Sequence, residues 1–365
     1  MKSKSENFVT VILIIIIVIG FFGNILNIIV LVQKSMRKVS TFRFLFYLSI
    51  IDLLVLLVCA KDTLLKFEFY VDIKLKSLII CKIHSFLIYF LTHMSSIVLT
   101  MVNIERASIV CNRPLIDWIK RKTTKYFSKK EQAKLDSDVE KCLIFRIYKT
   151  YRVEFILIII VLIIGLINIH FLFYMSISKP ITELDLQNLK NLTYFNNNDG
   201  FDKVDKLKHE KLNELLLTTI FLCFPSKGTT YHYFLNNFWT IIDTFIYSVI
   251  PFFFMVLSSL AIWLELRRQI AKISKTIGIR NKIMMNKKVR KNRQLLIMLT
   301  CTNSYFVFCS FPYFSVFHSI IEQKFDSGFV QILLHVLSYS NNSVNFIFFG
   351  LFSTKYRETL RSLFQ

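Results

Sequence analysis

Residues 8 to 33, FVTVILIIIIVIGFFGNILNIIVLVQ, run for 26 positions without a charged side chain. A helix needs about 20 mostly apolar residues to cross the hydrocarbon core of a bilayer, so this segment reads as a membrane span. It is too long for a removable signal peptide and carries no small-residue cleavage site. The same length rule predicts six further spans, at about 44–61, 82–111, 153–175, 238–266, 294–320 and 329–352. A chain that is 54% hydrophobic, with only 8 Gly and 5 Pro in 365 residues, fits that class and not a disordered one. The expectation is an all-α membrane protein, a seven-transmembrane helix bundle forming a single domain over 1–365.

Loop charge sets the orientation. The segments 34–43, 106–152, 267–293 and 355–365 hold 31 of the 46 Lys and Arg residues, and the opposite side holds 15. Basic residues favour the cytoplasmic side, which puts the N-terminus outside and the C-terminus inside. The net charge of +22 is therefore mostly topological. It lies in short loops between spans, so a nucleic-acid partner is not implied, whereas anionic lipid headgroups suit the same residues.

Inside the second span, LSIIDLLVLL places one carboxylate, Asp52, among Leu, Ile and Val. An ionisable group at that depth faces the bundle interior and has a partner. Asn24 in span 1, Ser95 in span 3, and Asn341 and Asn345 in span 7 are the polar groups at similar depth. A carboxylate with hydroxyl and amide oxygens suits a small hard cation such as sodium; the alternative is an ion-free hydrogen-bonded network.

Cys81 and Arg106 are 25 residues apart, about 37 Å along a helix, so one tilted span carries a cysteine at its outer rim and Glu105-Arg106 at its inner rim. Cys223 also falls outside, where the compartment is oxidising. A Cys81–Cys223 bridge is expected, with Cys59 as the competing partner. Cys111, Cys142, Cys301 and Cys309 are expected as thiols.

Several short motifs in order carry a family resemblance: Gly23-Asn24, LSIID around Asp52, Cys81, the ERA triplet at 105–107, Pro251, FVFCSFP at 306–312 and NFIFF at 345–349. The chain resembles the rhodopsin-like (class A) G-protein-coupled receptors, and within them looks like invertebrate FMRFamide-type neuropeptide receptors. The resemblance implies a sodium site at Asp52, Ser95, Asn341 and Asn345. It implies that Glu105 and Arg106 meet a heterotrimeric G protein. The residues of its activation switch would be Pro251, Phe306, Cys309, Ser310, Pro312 and Phe349. The chain also departs from the family pattern. Ser310 stands for the usual tryptophan, Phe346 and Phe349 for the proline and tyrosine of helix 7, Ser259 for a tyrosine, and Asn292 for an acid that latches the arginine.

By the same resemblance the ligand pocket would be bounded by His84, Ile88, Tyr89, Asp243, Tyr247, Tyr313, His335 and Tyr339. Ile88 replaces the aspartate of amine receptors and Tyr339 the lysine of opsins. Asp243 would pair a ligand guanidinium in a charge-assisted bond, which suits a short amidated peptide. The plainer reading is that Asp243 sits at the water boundary, and that the aromatics are packing.

The 179–237 loop carries a glycosylation sequon at Asn191, and 203–221 has an amphipathic pattern. A short amphipathic helix along the membrane surface is expected at about 354–364. Two other classes compete: a chemosensory receptor for small molecules, which differs only in its pocket, and a transporter, for which no internal repeat is seen. An enzyme is not implied, because no HExxH or GxSxG is present and the 7 His are scattered. No cofactor other than the sodium ion is implied, and the location is the plasma membrane.

Overall fold

The computed structural model describes residues 4–69, 71–123, 143–177, 223–225, 229–274, 279–318, 328–363 and 365. These form α1 (Lys4–Leu31), α2 (Ser40–Phe69), α3 (Leu78–Thr123), α4 (Leu143–Asn168, continued by His170–Tyr174), α5 (Thr230–Ala271), α6 (Ile279–His318), α7 (Gly328–Phe352) and α8 (Thr354–Arg361). By length and composition α1 to α5 can each cross a membrane. The long helices close a ring in which α1 packs on α2 and α7, α2 on α3, α3 on α4 and α5, and α6 lies between α5 and α7.

The helices overrun the spans read from the sequence. Only the apolar part of a helix is visible to a length rule, while Lys, Arg and Glu continue a helix into water at little cost. Thus α2 runs past 61 through Lys61, Asp62 and Lys66, α3 runs past 111, and α6 begins at Ile279 in the basic segment.

The burial pattern is the reverse of a soluble protein. Phe8, Val11, Phe22, Leu162 and Leu166 are exposed, while Asn24, Asp52, His93 and Asn168 are buried. Lipid is the solvent that makes such a distribution stable. Without a hydrophobic force between helices in lipid, close packing and interhelical hydrogen bonds hold the bundle.

The α1–α7 contact shows both devices. A Cβ on Gly23 would lie 2.2 Å from the Phe346 ring, and one on Gly20 would lie 2.4 Å from Ser343 Oγ. Phe346, at the place of the usual proline, therefore fills the hollow that Gly23 leaves. Beyond α7, Ser353 caps α8 by accepting from the Tyr356 amide, and Tyr356 donates its hydroxyl to Asn27 Oδ1 at 2.8 Å. Burial pushes the Tyr356 phenol up to about 12, so it remains a donor. The helix expected after span 7 is present, although its aromatic anchor packs inward on the bundle.

Among the described residues three π-turns interrupt regular winding: Leu56–Ala60 in α2, and Leu235–Trp239 and Phe245–Val249 in α5. Such turns often occur at functional sites. Cys81 and Cys223 form a disulfide with Cα atoms 5.6 Å apart. Beside it Phe224 donates its amide to Ser176 O at 2.9 Å, and Ile177 pairs with Cys223. Cys59 is a buried thiol, and Cys111, Cys301 and Cys309 are also free. Cys142, Asn191 and the 203–221 pattern lie outside the described residues.

Gly23→Ala should destabilise the folded protein by about 1–3 kcal/mol through overpacking. The thermal midpoint in detergent should fall, and Phe346→Leu in the same chain should recover part of the loss.

Candidate functional site

A cavity of ≈ 410 Å³ opens at the end of the bundle that carries the disulfide. Ile88, Tyr89, Asp243, Tyr247, His335 and Tyr339 all line it, as the sequence suggested. His84 is absent from the lining because its ring turns toward Asp62, 3.8 Å from Nε2 to Oδ1. The side chain of Tyr313 lies outside the described residues. Phe224, next to the disulfide, forms part of the wall, so the Cys81–Cys223 bridge also positions the cavity rim.

Two acids reach this cavity. Asp62 was not singled out in the sequence because α2 extends beyond its apolar part. Its carboxylate is buried and lies 3.5 Å from Lys74 Nζ. Asp243 has a different partner: His93 of α3, with 2.8 Å between Nε2 and Oδ1. His93 is fully buried, and Asn168 Nδ2 of α4 reaches its Nδ1 at 3.1 Å. One polar chain thus joins α3, α4 and α5.

Below the cavity, Tyr247 and Ser338 hydroxyls are 3.3 Å apart, and Ser96 donates to the Tyr247 carbonyl at 2.5 Å. The expected switch positions are occupied as follows. Phe306 is buried with its ring 6.1 Å from Tyr247, and Cys309 Sγ is 3.3 Å from Ser340 Oγ. Ser310 is buried, Pro312 lies within α6, Pro251 follows the second π-turn of α5, and Phe349 is in the main core. Nearby, Asn303 Nδ2 donates to Asn103 Oδ1 at 2.9 Å and to Ser259 Oγ at 3.1 Å.

Asp52 lies at the centre, with no exposed surface. Its Oδ1 accepts from Ser95 Oγ at 2.6 Å and Asn342 Nδ2 at 2.8 Å, and its Oδ2 accepts from Asn345 Nδ2 at 2.7 Å. Asn24 Nδ2 donates to the backbone carbonyl of Asn342 at 2.9 Å. The partner from α7 is thus Asn342 and not Asn341. Asn342 and Asn345 are three apart and share a helix face, whereas Asn341 is turned about 100° from Asn342. Asn341 is still buried, and its Oδ1 and that of Asn345 have no hydrogen-bond partner among the described residues. Asp52, Ser95 and the Asn345 amide oxygen are hard oxygen donors of the kind a small cation takes.

At the end of the bundle away from the disulfide, Glu105 and Arg106 face different neighbours. Glu105 accepts from Ser40 Oγ at 2.5 Å and from the Arg152 guanidinium, while Arg43 pairs with Glu154 at 2.9 Å. These bonds tie α2, α3 and α4. Arg106 is buried at 6% exposure, stacks over the Phe42 ring at 5.4 Å, and its Nε has no hydrogen-bond partner among the described residues. Asn292, in place of a latching acid, donates to Gln269 of α5 at 3.1 Å, and Gln269 donates to Glu265 at 3.1 Å.

His93, Asn103, Asn168, Asn303 and Asn342 were not singled out in the sequence. Each is a polar residue within a membrane-length helix, and the cost of burying polar groups in hydrocarbon points to them with a smaller energy than for the charged Asp52.

Residues 11–75, which contain Asn24 and Asp52, match the family model described as serpentine type 7TM GPCR chemoreceptor Srw. No curated protein matches the chain. The matched family is one of receptors and not of enzymes, and it supports a G-protein-coupled receptor. With the apolar helices it makes this chain a multi-pass protein of the plasma membrane. Neither the rhodopsin-like subfamily nor a peptide ligand follows from the match.

Asn342→Ala removes a donor from a buried carboxylate and should cost about 1–3 kcal/mol. Asn341→Ala removes no bond to Asp52 and should cost less. Thermal midpoints of the two purified variants give the comparison.

Proposed function

We propose that the chain is a seven-span chemosensory receptor, N-terminus outside, that binds a small extracellular ligand in the cavity and activates a heterotrimeric G protein inside. One observation carries this reading: the cavity and the buried carboxylate share two helices. On α7, Ser338 and Tyr339 line the cavity and Asn342 and Asn345, one turn and two turns on, hold Asp52. On α3, Tyr89 lines the cavity, Ser95 holds Asp52, and Arg106 follows at the cytoplasmic end.

A ligand that favours a different packing of α3 and α7 therefore acts on the Asp52 bonds and on Arg106 together. Such a ligand shifts the balance between two packings by the difference in its affinity for them. A buried guanidinium with little hydrogen bonding gains partners when the cytoplasmic end opens to an acidic surface of the G protein. The 31 basic residues assigned to the cytoplasmic side favour that surface.

The cavity lies toward the lower end of the roughly 300–1,000 Å³ that small-ligand sites occupy. That favours a compact ligand over a peptide, of which only the terminus would enter. The chemosensory description of the matched family supports the same choice. A sodium ion would be held by Asp52, Ser95 and the Asn345 amide oxygen and would supply a positive charge to the polar core.

The test is ligand-stimulated nucleotide exchange in membranes, with panels of small molecules and of short peptides with and without C-terminal Arg-Phe-amide. A small-molecule response that is lost in Arg106→Ala is expected. Response to amidated peptides alone would move the assignment to a peptide receptor, and solute flux with no exchange would move it to a transporter. In the same membranes, replacing sodium by N-methylglucamine at equal ionic strength should raise agonist affinity roughly 5-fold or more, and Asp52→Asn should remove that difference. Equal affinity in both salts excludes the ion.

A further inference from the structure

Asp62 and Asp243 bring two carboxylates to the cavity, and their surroundings differ in charge. Asp62 is accompanied by an ammonium, Lys74 at 3.5 Å, and by the His84 imidazole at 3.8 Å. Asp243 has no lysine or arginine within 4.0 Å among the described residues, and His93 is its hydrogen-bond partner there.

The bonding of His93 shows what that partner supplies. Asn168 places Nδ2 at 3.1 Å from His93 Nδ1 and at 2.8 Å from the Ile164 carbonyl. Its two N–H groups serve both acceptors, and Asn168 Oδ1 has no hydrogen-bond partner among the described residues. Turning the amide would bring Oδ1 against the Ile164 carbonyl and lose a bond, so the observed orientation is the favoured one. His93 Nδ1 is then an acceptor, and the imidazole carries its single proton on Nε2, which donates to Asp243. A neutral imidazole orients the carboxylate without cancelling its charge.

The carboxylate is partly open, at 18% side-chain exposure, and Tyr89, Trp239 and Ile88 line the cavity with it, while Lys66 and Lys74 line it together with Asp62. In such surroundings a charge attracts its counterpart far more strongly than in water. Ile88 offers no competing acid on α3, so the anchor for a positive group stands on α5.

We propose that the cavity takes a small organic cation, a protonated amine or a guanidinium, which pairs with Asp243, and that His93 and Asn168 are positioning residues that keep this carboxylate aimed and uncompensated. The proposal rests on the reading of the cavity as the ligand site. It adds the chemical class of the ligand and two residues behind the anchor.

The experiment is a thermal-shift measurement on the purified full chain with a panel of small primary amines and guanidines, run against their neutral alcohol and carboxylate counterparts. It needs no G protein. Members of the cation set should raise the midpoint more than their counterparts do, with apparent affinity weakened roughly ten-fold or more in Asp243→Asn and retained in Asp243→Glu. His93→Gln keeps a donor toward Asp243 and an acceptor toward Asn168, so it should retain the preference for cations, whereas His93→Leu should lose it. Equal stabilisation by neutral or anionic counterparts, no shift with any cation, or a cation effect that survives Asp243→Asn would overturn the proposal. A preference retained in His93→Leu would remove the positioning role. Cation binding without nucleotide exchange would leave this inference standing and remove the receptor reading. Exchange driven by a neutral or anionic compound and insensitive to Asp243→Asn would do the reverse.

Discussion

A carboxylate with no exposed surface inside a lipid-embedded bundle needs hydrogen-bond donors from its own protein, and Asp52 takes three of them from two other helices. Ser95 comes from α3, and Asn342 and Asn345 come from α7. The depth and rotation of α2, α3 and α7 are thereby linked, because a shift of any one leaves a buried oxygen or amide without a partner. Asn24 extends the same requirement to α1 through the Asn342 carbonyl. The close α1–α7 approach at Gly20 and Gly23 serves it geometrically, since a bulkier α1 would hold α7 too far away.

The remaining polar bonds follow the same logic at other depths. Near the cavity, Asp243, His93 and Asn168 join α5, α3 and α4. Lower down, Asn103, Asn303 and Ser259 join α3, α6 and α5, and farthest from the cavity Asn292 and Gln269 join α6 and α5. The positions that depart from the receptor pattern are packed into these arrangements. Ser259 accepts from Asn303, Asn292 donates to Gln269, and Phe346 occupies the space over Gly23. A tyrosine near the end of α7 is replaced by Phe349, and the hydroxyl of Tyr356 on α8 instead reaches Asn27 of α1.

Most of the helical content was legible as long uncharged runs, since hydrocarbon imposes a length and an apolar composition on anything that crosses it. The disulfide was legible because loop charge assigned Cys81 and Cys223 to the same, outer side, and Cys59 proved to be a buried thiol. Asp52 was legible because a lone charge in such a run is costly. The neutral amides and His93 carry the same argument with a smaller energy, so they stand out less against Ser and Thr, which satisfy themselves on the preceding turn. Thr92, for example, donates to the Ile88 carbonyl at 2.8 Å.

The sequence by itself determined the membrane environment, the approximate spans, and the existence of a buried anionic centre, because these depend on composition along one dimension. The tertiary structure alone decided which polar groups meet. Choosing Asn342 over Asn341 turns on 100° of helix rotation, and the π-turns in α2 and α5 add residues to a turn and shift everything beyond them. The pairing of Asp243 with His93 depends on three helices packed side by side, and no spacing along the chain encodes that distance.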